Sequence, residues 1–269
     1  MDTMVEESFI DTDLDKKEGV ISSGIDKLDR LLEGGIPNGF TTVLLGSPGS
    51  SIEILVKQIA TIENVTYITT EETKDEITET MKRFNWHIPD IKFVDISAKY
   101  YSSVLEGEQR RVSVYQQRSK LKLKELIEIG SRGMPSTTTS EEDFLAVLSN
   151  GVKNSSTGGI IIINSLDFFL SQYRQEEVLK TIYAAKVSNL KKKGALLIVM
   201  TKGIHGEIFE RKMEGLADCV LELDVIQKGS SFERFLSVKK MRNFAKKIGI
   251  ARYVIDDSGF VLEMIERIM

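Results

Sequence analysis

Phe40-Thr-Thr-Val-Leu-Leu-Gly-Ser-Pro-Gly-Ser-Ser-Ile-Glu-Ile-Leu55 is the stretch from which the rest of the chain can be read. Val43, Leu44 and Leu45 form an apolar run that predicts a buried strand. The run breaks at Gly46 and Pro48-Gly49, then passes into Ile52, Leu55, Val56 and Ile59 at helical spacing. Strand, glycine-rich turn and helix is the setting of the phosphate-binding motif G-x-x-x-x-G-K-[ST]. There, backbone N–H groups wrap the phosphates, the lysine neutralises their charge and the hydroxyl holds Mg²⁺. Gly46, Ser47, Pro48, Gly49 and Ser50 follow the frame, but its last three positions are Ser51, Ile52 and Glu53. An ammonium about 4 Å from a phosphate oxygen is worth roughly 4 kcal/mol at an effective dielectric near 20. Ile52 supplies none of this, and Glu53 adds negative charge. Ser50-Ser51-Ile52-Glu53 also matches the capping box S-x-x-E, so Ser50 and Glu53 are expected to occupy the helix donors that an anion would use. The stretch alone leaves two readings open: a phosphate loop that has lost its chemistry, and an ordinary turn before a helix.

Length and composition bound the rest. The 269 residues, 41% hydrophobic and 28% charged, suit one large globular domain with a substantial core. A net charge of −4 provides no global basic field, so any nucleic-acid site must be local. The single cysteine, Cys219, stands between apolar residues and reads as a buried strand position; no internal disulfide framework can form. His87 and His205 are far apart, which argues against a His/Cys metal site. No apolar run reaches membrane-spanning length and the first residues are acidic, so a cytoplasmic protein is expected.

Residues 1–18 read as an acidic N-terminal tail and 19–269 as the folded domain. Ile25, Leu28, Leu31 and Leu32 predict a short helix ended by Gly34-Gly35. Strands are expected at Val65–Thr70, Ile91–Ile96, Gly159–Asp167 and Ala195–Met200. Helices are expected around Ile77–Phe84, over Glu141–Val152 and over Gln175–Lys193, the last capped by Gly194. Residues 97–140 read as irregular. After Ala195–Met200 come the short apolar runs Cys219–Leu223, Phe232–Val238, Ile250–Ile255 and Phe260–Met264, spaced by turns; they predict an antiparallel continuation with no intervening helix. The pattern as a whole predicts an α/β fold whose central sheet is mainly parallel.

The segment Ser23-Gly-Ile-Asp-Lys-Leu-Asp-Arg-Leu-Leu-Glu-Gly-Gly-Ile-Pro-Asn-Gly39, continued by Gly46-Ser-Pro-Gly49, resembles the entry motif and phosphate loop of the KaiC/RecA-like ATPase superfamily, and in particular its archaeal single-domain KaiC-like proteins. Tyr67-Ile-Thr-Thr-Glu-Glu72, Phe84-Asn-Trp86, Ile160–Leu166, Leu216-Ala-Asp218 and Lys239-Lys-Met-Arg242 extend the resemblance, in family order, over about residues 20–264. It implies a RecA-like core with helices flanking the parallel sheet and a C-terminal antiparallel extension. It also implies that Glu71 and Glu72 stand at the water-activating acids, Asn164 at the metal-ordering aspartate, and Lys240 and Arg242 at cations that face a neighbouring subunit. By composition alone, Glu71 and Glu72 also read as helix-N-terminal acids after a cap at Thr70.

With both the lysine and the metal carboxylate replaced, efficient phosphoryl transfer is not expected, since its catalysis is mostly positioning and electrostatics. The resulting expectation is a degenerate KaiC/RecA-like module with a regulatory or scaffolding role, binding no cofactor or only weak ATP/ADP, with Mg²⁺ doubtful. Its partner would be another protein or a second copy. An ATP-binding protein that does not hydrolyse, and a DNA-binding recombinase paralogue, are the alternatives. Arg110, Arg111, Arg118, Lys120, Lys122 and Lys124, with Tyr115 among them, would serve the last; flanking acids favour a solvated helix face.

Overall fold

A strand whose successive side chains are all apolar must be covered on both faces. In the computed structural model, which describes residues 19–119, 142–243 and 249–263, Val43 and Leu45 enter one core while Leu44 enters the other. The same alternation runs through Tyr67 and Ile68, through Ile160 to Ile163 and through Leu196 to Met200.

In chain order the elements are β1 (Val20–Ile21), α1 (Asp26–Leu31), β2 (Ile36–Pro37), β3 (Thr41–Gly46), α2 (Ile52–Ile59), β4 (Val65–Thr69), α3 (Lys74–Arg83), β5 (Lys92–Asp95) and α4 (Ile96–Ser119). There follow α5 (Phe144–Lys153), β6 (Ile160–Asn164), α6 (Asp167–Gln172), α7 (Gln175–Lys192), β7 (Ala195–Thr201) and α8 (Glu207–Leu216). The chain then forms β8 (Cys219–Lys228), β9 (Ser231–Met241), β10 (Ile250–Asp256) and β11 (Gly259–Glu263). The main sheet runs β11-β10-β9-β8-β3-β7-β6-β4-β5. Strands β8, β3, β7, β6, β4 and β5 are parallel, and β8 to β11 continue as antiparallel hairpins. The α/β class, the parallel centre and the antiparallel extension are as the sequence predicts.

Four local expectations are corrected. Residues 97–119 are helical, in α4, rather than irregular. A helix, α8, precedes Cys219, and it buries Phe209, Met213 and Leu216 at i, i+4 and i+7. The residue in the left-handed state at the end of α7 is Lys193, not Gly194. Thr70 does not cap α3; the cap is Thr73, whose side chain accepts the Glu76 N–H while the Glu76 carboxylate accepts the Thr73 N–H at 2.7 Å. Glu71 and Glu72 therefore precede that helix and lie outside its first turn.

The acidic stretch 1–18, the loop Pro135–Ser140 and Lys120, Lys122 and Lys124 lie outside the described residues; Arg110, Arg111, Tyr115 and Arg118 fall on the distal part of α4. Among the described residues, no helix is long and apolar enough to cross a membrane.

Candidate functional site

Because β3, β4, β6 and β7 are parallel, their C-terminal ends gather on one edge of the sheet, where open α/β sheets place their ligand crevices. A cavity of about 250 Å³ opens there, lined by Gly46 to Glu53, Glu71, Glu72, Asn164, Ser165, Asp167, Val199 and Thr201. The structure thus brings Glu71, Glu72 and Asn164 together with the whole loop that the sequence singled out. Lys240 and Arg242 belong to a different place, at the end of β9.

The loop is held from outside. Ser47 N–H donates to Leu223 O at 2.9 Å, and the Val225 N–H donates to Ser47 Oγ at 3.2 Å. Arg234 Nε donates to Gly49 O at 3.2 Å, and the buried Tyr253 hydroxyl donates to Ser50 O at 2.5 Å. Gly46 is required by close approach: a Cβ there would lie 2.8 Å from Ser50 Oγ and 3.0 Å from Ile52 Cγ2. Ile52 is accordingly turned onto Gly46 and packs against the core.

The expected Ser50–Glu53 capping box is absent. The N-cap of α2 is Ser51, in the left-handed state at φ 56° and ψ 36°, with no side-chain cap bond. The Ser50 hydroxyl is buried and has no hydrogen-bond partner among the described residues. A capping box needs its first residue in extended backbone, whereas here the turn carries the chain into α2 one residue later. The N–H groups of Ser51, Ile52 and Glu53 consequently have no acceptor among the described residues.

The acids opposite the loop are individually tied. Glu72 Oε1 lies 2.6 Å from Lys57 Nζ, and the Lys57 side chain, on α2, is only 3% exposed. Ser165 Oγ donates to Glu71 Oε1 at 2.5 Å. Asn164 Nδ2 donates to the Tyr67 hydroxyl at 3.0 Å, and burial holds that phenol far above its ordinary range, so it stays protonated. Asp167, the other carboxylate near the metal position, accepts the Thr201 N–H at 3.0 Å and faces His205 Nε2 at 2.6 Å. The peptide between Asn164 and Ser165 is cis.

Sequence reasoning missed Lys57. A signal existed: α2 is apolar on nearly every side (Ile54, Leu55, Val56, Ile59), which leaves its lysine no solvent face. Among the described residues, four carboxylates, from Glu53, Glu71, Glu72 and Asp167, line the cavity, and no lysine, arginine or histidine does. Among the described residues, no group of three or more His, Cys, Asp or Glu side chains could hold a metal ion. These residues do not fit a Mg²⁺-bound γ-phosphate: Ile52 leaves that charge unanswered, and Glu53 and Glu71 repel it.

Lys240 Nζ donates to the carbonyls of Glu214 and Gly215 at the C-terminus of α8, at 2.7 and 3.1 Å. Arg242 Nη1 lies 3.0 Å from Asp218 Oδ1, and its side chain is 63% exposed. Cys219 is buried, and burial pushes its thiol up to about 12, which makes it inert.

A nine-stranded sheet with this strand order, and a glycine loop between β3 and α2 at its C-terminal edge, defines a RecA-like P-loop fold. The chain belongs to the KaiC ATPase family, whose model matches residues 21–267. It is 23% identical over 251 residues to a UPF0273 protein of Thermotoga maritima, covering 90% of this chain and 95% of the relative. Its structure resembles the crystal structure of a KaiC-like protein from the hyperthermophilic archaeon Pyrococcus horikoshii, with a TM-score of 0.62 at 17% identity, over 91% of this chain and 99% of the other.

Proposed function

We propose that this KaiC-family chain is catalytically degenerate and serves as a regulatory or scaffolding module that presents its folded surface to a protein partner. The observation that carries this reading is the cavity wall, which among the described residues has four carboxylates, no cationic side chain and Ile52 in the lysine position of the loop. Phosphoryl transfer depends on cations that neutralise charge developing on the transferred group, and the side chains here oppose that charge. Glu71 and Glu72 are vestigial acids in this reading, and Asn164 is a vestigial metal position. The expected result is no ATP turnover above background by the wild-type chain at saturating Mg²⁺. Measurable turnover that Glu71→Gln or Glu72→Gln abolishes would overturn the proposal.

A second reading is favoured by the acceptor-free N–H groups of Ser51, Ile52 and Glu53, which offer an anion the start of a helix. In it, nucleotide is a weak structural ligand that is never hydrolysed. Thermal shift separates the two readings. A dose-dependent rise in Tm with ATP or ADP supports the second, and an unchanged Tm supports the first.

A further inference from the structure

The cavity at the C-terminal edge of the sheet holds polar groups of three kinds that the described residues leave unanswered. The first are acids. Glu72 is tied to Lys57, and Asp167 to His205 and the Thr201 N–H, whereas Glu53 and Glu71 make no ion pair among the described residues. Glu71 receives the Ser165 hydroxyl, which carries no charge. The second are donors. The N–H groups of Ser51, Ile52 and Glu53, at the start of the eight-residue helix α2, have no acceptor among the described residues. The third is a hydroxyl. Ser50 belongs to the cavity wall and is 1% exposed, and its Oγ lies beside the wall residue Gly46 with no partner among the described residues. A buried hydroxyl without a partner is costly, and a ligand atom in the cavity would satisfy it.

A phosphate would answer the N–H groups and be repelled by the two unpaired acids. A simple amine would answer the acids and meet the positive end of the helix. A ligand that carries both an ammonium and a carboxylate answers all three kinds of group. It must also be small, since the cavity of about 250 Å³ falls below the roughly 300–1,000 Å³ of most small-molecule sites. We infer that the cavity binds a free α-amino acid. Its carboxylate accepts from the N–H groups of Ser51 to Glu53, its ammonium donates to Glu53 and Glu71, and the Ser50 hydroxyl is a further partner. Each of the ionic contacts is a charge-assisted hydrogen bond, the strong class. The inference rests on the reading that this cavity no longer turns over nucleotide, and it gives the regulatory module a small-molecule ligand of its own.

The test titrates the full chain by calorimetry with each of the twenty common amino acids. Any binder is then compared with its amine lacking the carboxylate, with its carboxylic acid lacking the amine, and with ATP. One-to-one binding of one amino acid, or of a few related ones, is expected, with both truncated analogues at least about tenfold weaker. Glu71→Gln keeps an acceptor for Ser165 but removes the charge, and should weaken binding about tenfold. Ser50→Ala should weaken it about threefold while leaving the unfolding curve of the unliganded chain near wild type, so the test stands even if Glu71→Gln fails to fold. No binding by any amino acid overturns the inference. So does an amine that binds as tightly as its parent, which would mean a bare organic cation, and so does binding of ATP alone. Affinity indifferent to both substitutions overturns it as well. The degenerate reading fails separately, by ATP turnover; absent turnover with absent amino-acid binding overturns this inference and leaves that reading standing.

Discussion

Ser51 holds φ 56°, a state that disfavours any residue with a Cβ by roughly 1–2 kcal/mol. Ser51→Gly should therefore stabilise the fold by about 1 kcal/mol, read as a Tm rise on the order of 2–4 °C. Ser50→Ala removes a buried hydroxyl that has no partner and should be neutral or stabilising. A double-mutant cycle of Ser50→Ala with Glu53→Ala should give no coupling, and a coupling above about 0.5 kcal/mol would restore the capping box. The Lys57–Glu72 pair makes an asymmetric prediction, because the lysine is 3% exposed and the glutamate 32%. Glu72→Ala strands a desolvated ammonium and should cost about 3–5 kcal/mol in denaturant unfolding. Lys57→Met leaves a carboxylate that water can reach and should cost less; equal losses would contradict the burial argument. At this scale the sequence showed which loop positions depart from the phosphate-binding motif, because identity alone shows it. It did not show what the replacements do, since a backbone state at Ser51 and a partner fifteen positions from Lys57 both depend on tertiary geometry.

Elements were legible wherever one period dominated. The strands β3, β4, β6 and β7 announce themselves because both faces of the sheet are covered, and α7 because its buried residues keep helical spacing. Helix α4 did not, because beyond Ile96, Ser97 and Tyr100 its residues through Gln109 are mostly exposed and show no apolar face. Helix α8 could have been found from Phe209, Met213 and Leu216, but the glycines at 203 and 206 made the region read as a turn. The Thr73–Glu76 box at the start of α3 gives an element-scale test: Thr73→Ala should destabilise the fold by about 0.5–2 kcal/mol. Strands β7, β8 and β9 are also joined by charge. Burial pushes the Glu222 carboxyl up, but hydrogen bonds from Lys202 and Lys239 outweigh it and hold the group at about 2, below its ordinary 4.5. A depressed folded value contributes stability that is fully present above about 4.5 and is lost as pH falls toward 2. Glu222→Gln should flatten the acid limb of the unfolding curve in that window, and an unchanged limb would show that the network contributes little.

Across the whole molecule, assembly is the open variable that sequence and structure both address. Lys240 and Arg242 already have intrachain acceptors, so reversing Lys240 would disturb the end of α8 as well as any interface. Arg242 is the cleaner probe because its side chain is mostly exposed and Asp218 keeps Lys186 at 2.8 Å. If copies associate through this edge, Arg242→Glu should weaken self-association in sedimentation velocity, more so at low salt. An oligomer that ignores the change removes the edge from consideration. The domain-scale reading was the easiest to make, since motif order along the chain can be read without the identity of every residue in each motif. The bonds that fix the glycine loop come from β8, β9 and β10, through Leu223, Arg234 and Tyr253, and none of these residues lines the cavity. A loop clamped in this way behaves as a casting whose mould is still attached. Its outline is set by distant strands, so residues facing the cavity can change identity while the hollow keeps its form. Loosening the mould, for example with Tyr253→Phe, should blur that outline more than any single replacement inside it.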